Sequence, residues 1–364
     1  MHFRVLDLNI YGEPNASDDS KSSMAERLTE LACSVATKNL DVMAFQEMYL
    51  PYSRKIFQKK LGNQYEMIGA NHFFPSVPAL SCVPSLLAYA IVRYLLEGSM
   101  LFSVGLSFAV SPLALLVLFK VLSLCLPLVF PIPSDIGFLE RARLDFMGTA
   151  ICFNRDIWSD IKRVSVNPFS DSMRGYPRPS SLSLKNLGVW LLLFVQHTFF
   201  RPGFLMGVAT HKDSNKRVLV VNAHLVLGYP NPKRTVQVKR VLEEITAYSV
   251  SEGADCVVLC GDFNAPPQDT CFDAIRTAGY MDSTTWVPKG QNVCTQCCKN
   301  PLVTDDGEEF GSEESRIDYV FVRGLGKRNR LMTELMSAKT VFDFADKDGI
   351  MSDHFGIELD VAIS

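Results

Sequence analysis

Residues Asp255 to Pro267 read DCVVLCGDFNAPP. The apolar run Cys256–Cys260 is too short for a helix. Its valines, with polar residues on one side and Gly261 on the other, predict a buried strand. Asp262 and Asn264 follow at the C-terminal end, with Phe263 between them. Alternation along an extended chain puts the two polar side chains on one side and the ring on the other. Pro266 and Pro267 stop the strand. An acid and an amide projecting together from a strand end can bind a metal, a water or a phosphate. An Asp–Asn turn that merely closes the strand is the competing reading.

Other apolar runs carry the same kinds of residue at their ends. Phe3–Leu8 precedes Asn9, Val42–Phe45 precedes Gln46 and Glu47, and Arg217–Val221 precedes Asn222 and His224. Tyr319–Val322 follows Arg316, Ile317 and Asp318, and Phe355–Ile363 follows Asp353 and His354. Any strand needs a polar terminus, so each end is weak singly. Together, in this order, they point to one shared site.

The order Asn9, Gln46-Glu47, Asn222-Ala-His224-Leu225, Gly261-Asp262-Phe263-Asn264, Arg316-Ile317-Asp318-Tyr319 and Ser352-Asp353-His354 resembles the endonuclease/exonuclease/phosphatase superfamily, which holds metal-dependent phosphodiesterases and phosphatases. Within it, Leu8-Asn9-Ile10-Tyr11-Gly12, Val257 to Asn264 and Arg316 to Val320 look most like the neutral sphingomyelinases. The resemblance spans residues 1–72 and 203–364. It implies an α/β sandwich of two packed sheets flanked by helices, which also suits a chain rich in strands with helices between some of them.

The resemblance further implies roles. Glu47 is the metal ligand, with Asn9 beside it as ligand or orienting group, and Asp353 reaches the metal directly or through water. The expected cofactor is Mg2+, with Mn2+ as the substitute. Asp262 resembles the residue that orients or deprotonates the attacking water, and Asn264 the amide that holds a phosphoryl oxygen. His354 is the candidate proton carrier, because imidazole titrates near neutral pH. Asp318 fixes its tautomer. His224 hydrogen-bonds the phosphate, with Asn222 beside it. His2, His72, His197 and His211 have no motif support and read as structural, surface or interfacial.

The chain has 364 residues and a net charge of −3, without the basic excess that gripping a nucleic-acid backbone usually needs. Its ten cysteines show no framework spacing, and Cys294, Cys297 and Cys298 read as ordinary thiols because a zinc site wants a second ligand pair. No signal-peptide pattern opens the chain, so a catalytic part facing the reducing cytosol is expected.

A compositional break divides the chain into a catalytic domain (1–72 and 134–364) and an apolar insert at 73–133. Within the insert, Met100–Phe119 has no charged residue, and as a helix it would rise about 30 Å, the thickness of a bilayer core. Ala79–Leu96 is a second candidate, interrupted by Arg93 near its end, so a helical hairpin is expected to associate with the membrane; a buried helical subdomain is the alternative. Leu187–Phe200 is apolar but short and reads as an interfacial segment or a buried strand. Helices are predicted at Met24–Lys38, Arg54–Leu61, Lys233–Ser249 and Cys271–Ala278, and further strands at Met147–Phe153, Phe204–Thr210 and Val218–Ala223.

The expected function is a Mg2+-dependent hydrolase of phospholipase C type. It would cleave sphingomyelin or a related sphingophospholipid to ceramide and a phosphorylated headgroup. One departure is Phe200-Arg201-Pro202-Gly203-Phe204, which stands where sphingomyelinases usually carry a Gly- and Lys-containing segment. A nuclease or deadenylase of the same superfamily, and a silent membrane scaffold, are the alternatives.

Overall fold

The structure is a computed structural model that describes residues 1–11, 24–49, 51–69, 148–169, 202–227, 232–286, 293–297, 300–303, 315–325, 333–343 and 351–363. In chain order the elements are β1 (His2–Asn9), α1 (Met24–Thr37), β2 (Val42–Gln46), α2 (Pro51–Leu61), β3 (Tyr65–Gly69), β4 (Ala150–Asn154), β5 (Trp158–Pro168) and β6 (Gly203–His211). Then come β7 (Arg217–His224), α3 (Lys233–Ser251), β8 (Cys256–Asp262), α4 (Cys271–Thr277), β9 (Met281–Asp282), β10 (Asp318–Gly324), β11 (Thr333–Val341) and β12 (Gly356–Ile363).

Among the described residues the strands form two six-stranded sheets, ordered β11-β12-β1-β2-β4-β3 and β5-β6-β7-β8-β10-β9. Each has one parallel pair near its centre, β1 with β2 and β7 with β8, and antiparallel neighbours elsewhere. The strand period of two sorts the side chains into layers. Phe3 and Val5 of β1, Val42 and Ala44 of β2, Val218 and Val220 of β7, Val258 and Cys260 of β8, and Val320 and Val322 of β10 all enter one core between the sheets. The intervening residues face outward under helices. Leu6, Leu8, Met43 and Phe45 pack with Leu28, Leu31 and Val35 of α1. Leu219, Val221, Val257, Leu259 and Phe321 pack with Val238, Val241 and Ile245 of α3 and Phe272 of α4. The result is a helix–sheet–sheet–helix sandwich, and each fully buried large apolar side chain contributes roughly 1.5–3 kcal/mol.

The predicted interior strands and helices are present with ends shifted by a few residues. Four strands were not predicted: β3, β5, β9 and β11. Two further expectations change. Past Asp262 the chain does not stay extended: Asn264 adopts φ 49°, so the anticipated alternation stops there, although Phe263 does enter the core under the helices. Cys294 and Cys297 are not free thiols but form a disulfide, because the short turn between them brings their Cα atoms to 5.8 Å. The insert at 73–133, the segment Leu187–Phe200, His72, His197 and Cys298 lie outside the described residues. Among those described, no helix is long and apolar enough to cross a membrane.

Candidate active site

The inter-sheet core turns polar at one end. Period two carries the layer of Phe3 and Val5 on to Asp7 and Asn9, and that of Val42 and Ala44 on to Gln46. The same count takes Val218 and Val220 to Asn222 and His224, Val258 and Cys260 to Asp262, and Val320 back to Asp318. Pairing keeps these ends level: Asn9 lies opposite Gln46, His224 opposite Asp262, and Asp262 opposite Asp318. Gly261 permits the close approach at φ 135°, since a Cβ there would stand 1.8 Å from the Ala223 carbonyl oxygen. Glu47, at φ 60°, turns off the end of β2 toward the same cluster.

Asn9 bridges the sheets at the site. Its Nδ2 donates to Glu47 Oε1 at 3.0 Å and to Asp262 Oδ2 at 3.1 Å, while its Oδ1 accepts the Tyr11 amide at 3.0 Å. His354 Nδ1 lies 2.8 Å from Asp318 Oδ2 and its Nε2 4.0 Å from Asp262 Oδ2. His224 Nε2 lies 3.6 Å from the same oxygen, and its Nδ1 is 3.4 Å from the Tyr49 hydroxyl. Ser352 Oγ donates to the Asn9 carbonyl at 2.7 Å and accepts the His354 amide at 3.2 Å, which ties the approach to β12 onto β1. Glu47, His224 and Asp262 offer ligand atoms all within 4.8 Å of one another, and so do Asp262, Asp318 and His354.

Burial lowers the His224 pKa, against the pull of the Asp262 charge, so this ring favours the neutral form. Burial acts on His354 in the same direction, but the charges of Asp318, Asp353 and Asp262 and the Asp318 hydrogen bond outweigh it and hold its pKa well above the ordinary value. Asp262 is pushed up by burial and by the Asp318 charge, against the two histidines and the Asn264 amide. A divalent cation beside such carboxylates opposes these upward shifts.

The structure thus brings together Asn9, Glu47, His224, Asp262, Asp318 and His354. It places three expected residues differently. Asn222 is fully buried and committed inside the fold: its Nδ2 donates to the Phe45 and Ala150 carbonyls at 2.8 and 3.0 Å, and its Oδ1 accepts Gln46 Nε2 at 2.7 Å. It sits one pleat below His224 and fastens the sheets to each other rather than flanking a phosphate. Asn264 donates its Nδ2 to the Leu225 carbonyl at 3.0 Å, and its amide caps Asp262 Oδ1 at 2.8 Å, so the turn and the site coexist at this strand end. Asp353 accepts from Ser352 Oγ at 3.2 Å and joins neither metal-capable cluster among the described residues.

Sequence reasoning missed Asp7, which stands one pleat below Asn9 and accepts Gln46 Nε2 at 2.8 Å. Burial, then the charges of Asp318 and Asp262, push its pKa well up. The spacing Asp7-Leu8-Asn9 was the available signal. Also missed was Arg27, on the buried face of α1, which donates to the carbonyls of Ile10, Tyr11 and Met351 at 3.0, 2.6 and 2.8 Å and so gathers two site loops.

Two packed mixed sheets with a carboxylate–histidine cluster at the strand ends define a class of α/β sandwich whose site suits metal-assisted hydrolysis. The chain belongs to the endonuclease/exonuclease/phosphatase family, whose model matches residues 8–354. Members of that family are hydrolases of phosphate esters and generally use divalent metals. The fold is similar to that of the mannosyl-6-phosphatase of Bacteroides thetaiotaomicron, with a TM-score of 0.55, 15% identity and 99% of both chains covered. It is also similar to TDP2 of D. rerio complexed with a single-strand DNA product, with a TM-score of 0.52, 15% identity and 99% of both chains covered. The human Nocturnin catalytic domain with bound sulfate gives a TM-score of 0.51 at 15% identity, covering 100% of this chain and 94% of that one. At such identities the likeness is one of fold. No curated protein matches the chain.

Proposed function

We propose that the protein is a divalent-metal-dependent phosphodiesterase of phospholipase C type, acting on sphingomyelin or a related sphingophospholipid. The observation that carries the hydrolytic reading is Asp262. One carboxylate oxygen of this buried acid faces Asn9 Nδ2, His224 Nε2 and His354 Nε2 within 4.0 Å. Glu47 and Asp262, joined through Asn9, form an oxygen-rich donor set that fits a hard cation such as Mg2+ or Mn2+, with His224 at its edge. When bound, that cation neutralises charge on the phosphoryl oxygens. Asn9 Nδ2 holds the two carboxylates in place. Asp318 fixes the His354 ring through Nδ1, which leaves Nε2 facing the site to take or give a proton. His224, neutral and steadied by Tyr49, presents its other nitrogen to the substrate side. Asp353 adds negative charge beside His354.

The choice of lipid rests on the sequence. The motif phrasing around Asn9, Asp262 and Asp318, the net charge of −3 and the apolar segment at 73–133 all favour a substrate met at a bilayer. The test offers sphingomyelin in mixed micelles and a single-stranded oligonucleotide side by side, with Mg2+ or with a chelator. Mg2+-dependent release of phosphocholine, lost in His354→Ala, is the expected result. Cleavage of the oligonucleotide alone would overturn the lipid reading and make the protein a nuclease. Turnover of neither substrate by a folded, metal-loaded protein would refute both.

A further inference from the structure

The segment around Thr295 holds both partners of the Asp318–His354 pair. Thr295 is fully buried, and its Oγ1 accepts the amides of Ile317 and Asp318 at 3.0 and 3.1 Å. Its carbonyl accepts the amide of Phe355, the residue after His354, at 2.7 Å. Its own amide and that of Gln296 donate to the Ser315 carbonyl at 3.0 and 2.9 Å. Just beyond, the Asn300 amide donates to the Cys297 carbonyl at 2.8 Å and Asn300 Nδ2 to the Ser352 carbonyl at 2.8 Å. Asp318 opens a strand of the second sheet and His354 precedes a strand of the first, so this one short turn spans the two sheets at the site. The disulfide closes around Thr295, and both cysteines pack with Phe355 in a small buried cluster of their own.

We propose that the disulfide-closed turn Cys294–Cys297 is a redox-sensitive positioner of the Asp318–His354 pair, with Thr295 as the positioning residue. The proposal rests on the hydrolase reading above, and it adds a control that the reading does not contain. Closing a ring of this size removes much of the turn's freedom, and that freedom returns on reduction. The reductant is a dithiol. One of its thiolates attacks a cysteine sulfur and the S–S bond breaks to a mixed disulfide. The second thiol resolves that intermediate, so two electrons and two protons end on Cys294 and Cys297 and the reductant leaves as its own disulfide. Thr295 then keeps its hydrogen bonds only as part of an open loop, and the Nε2 of His354 wanders relative to Asp262. A misplacement of this kind lowers kcat rather than substrate affinity.

The experiment uses the full chain with Mg2+ and bis(p-nitrophenyl) phosphate, before and after dithiothreitol. Reduction is expected to lower kcat about fivefold with KM little changed. Cys33→Ser, which removes an exposed free thiol on α1, keeps wild-type behaviour in both states. Cys294→Ala/Cys297→Ala is slow in both states. Thr295→Val lowers kcat about tenfold through the loss of an acceptor for two buried amides, and Thr295→Ser restores it. Hydrogen exchange at the amides of Ile317, Asp318 and Phe355, followed by mass spectrometry, speeds up on reduction. This last measurement needs no turnover, so a protein that hydrolyses nothing yet loosens there on reduction would sink the hydrolase reading and keep the positioner. Equal kcat and equal exchange in the two redox states would overturn the proposal. So would a Thr295→Ser variant as slow as Thr295→Val, which would leave the turn only a structural element.

Discussion

Replacing Asn222 by alanine separates two roles that strand alternation alone cannot tell apart. Asn222 and His224 share the inter-sheet face of β7, so both are natural phosphate contacts from sequence. In the structure all the polar capacity recorded for Asn222 is spent internally, on the carbonyls of Phe45 and Ala150 and on the Gln46 amide. Each such hydrogen bond contributes about 0.5–1.5 kcal/mol net, and leaving buried partners unsatisfied adds to the loss. Asn222→Ala should therefore cost about 3–5 kcal/mol, a sizeable share of the roughly 5–15 kcal/mol that holds an ordinary domain together. The measurement is equilibrium urea denaturation of the full chain, paired with kcat at a temperature where the variant remains folded. The expected pattern is a large fall in midpoint with kcat reduced less than about tenfold, because nothing of Asn222 faces the reacting atoms. His224→Ala should show the reverse: little change in midpoint and a loss of about a hundredfold or more in kcat. An Asn222→Ala protein as stable as wild type but inactive would refute this reasoning and return the residue to the phosphate.

Gly261→Ala should fail to fold or lose about 3 kcal/mol or more, because the φ of 135° is strained for alanine and the new Cβ would meet the Ala223 carbonyl at 1.8 Å; a midpoint within error of wild type would contradict the strand register described here. Arg234→Met should cost about 3–5 kcal/mol, since this fully buried guanidinium donates to Asp269 at 3.1 and 2.9 Å and to the Asn264 carbonyl. Arg234→Met/Asp269→Leu should recover most of that loss in the same denaturation assay, and a double variant no better than the single would argue against an uncompensated charge. Mg2+ or Mn2+ should raise the melting temperature of wild type but not of Glu47→Gln, because a ligand that binds only the folded state stabilises it; an equal rise in both would remove Glu47 from the metal site.

What was legible in the sequence follows from where a strand lies in its sheet. The strands read correctly, β1, β2, β4, β6, β7, β8, β10 and β12, all have a neighbour on each side. Most are apolar on both faces, because one face meets the other sheet and the other face meets helices; β12 instead alternates, with Glu358 and Asp360 on its outer face, and its inward period-two run marks it. The four that were missed, β3, β5, β9 and β11, are the four sheet edges. An edge strand is wetter: β5 carries Asp160, Lys162 and Arg163, and two register shifts scramble its alternation. Charges and bulges of this kind protect an edge from pairing with another chain and erase the pattern that marks a strand. The site was legible for the same reason the interior was. Asn9, Asn222, His224, Asp262 and Asp318 continue apolar period-two runs, and Glu47 and His354 flank such runs, so an acid or histidine there stands out. Asp7 lies inside an apolar run, and Arg27 follows Glu26 near the start of an amphipathic helix, where a charge reads as solvent-facing; both were passed over. Thr295 sits in a turn whose importance comes wholly from residues distant in sequence.

The charge balance of the site argues for a cation on its own terms. Asp7, Asp262 and Asp318 all face the inter-sheet core and are nearly or fully buried. The Asp318 charge raises the pKa of both other acids, and the Asp262 charge adds to the effect on Asp7. Buried like charges are costly unless something opposes them. Gln46 and Asn9 supply amide donors, and His354 supplies one positive charge through Asp318. His224 is held toward neutrality by its own burial and offers little more. Glu47 then adds a further carboxylate at the open end, 3.0 Å from the same Asn9 amide. A fold that needed only stability would fill these positions with apolar residues like Val5, Cys260 and Val320, found one step of alternation below, at no electrostatic cost. Gathering acids there instead is sensible where a divalent cation and an anionic ester complete the balance, and Glu47→Gln, which removes one of those charges, should leave the metal-free protein at least as stable as wild type while abolishing its response to Mg2+.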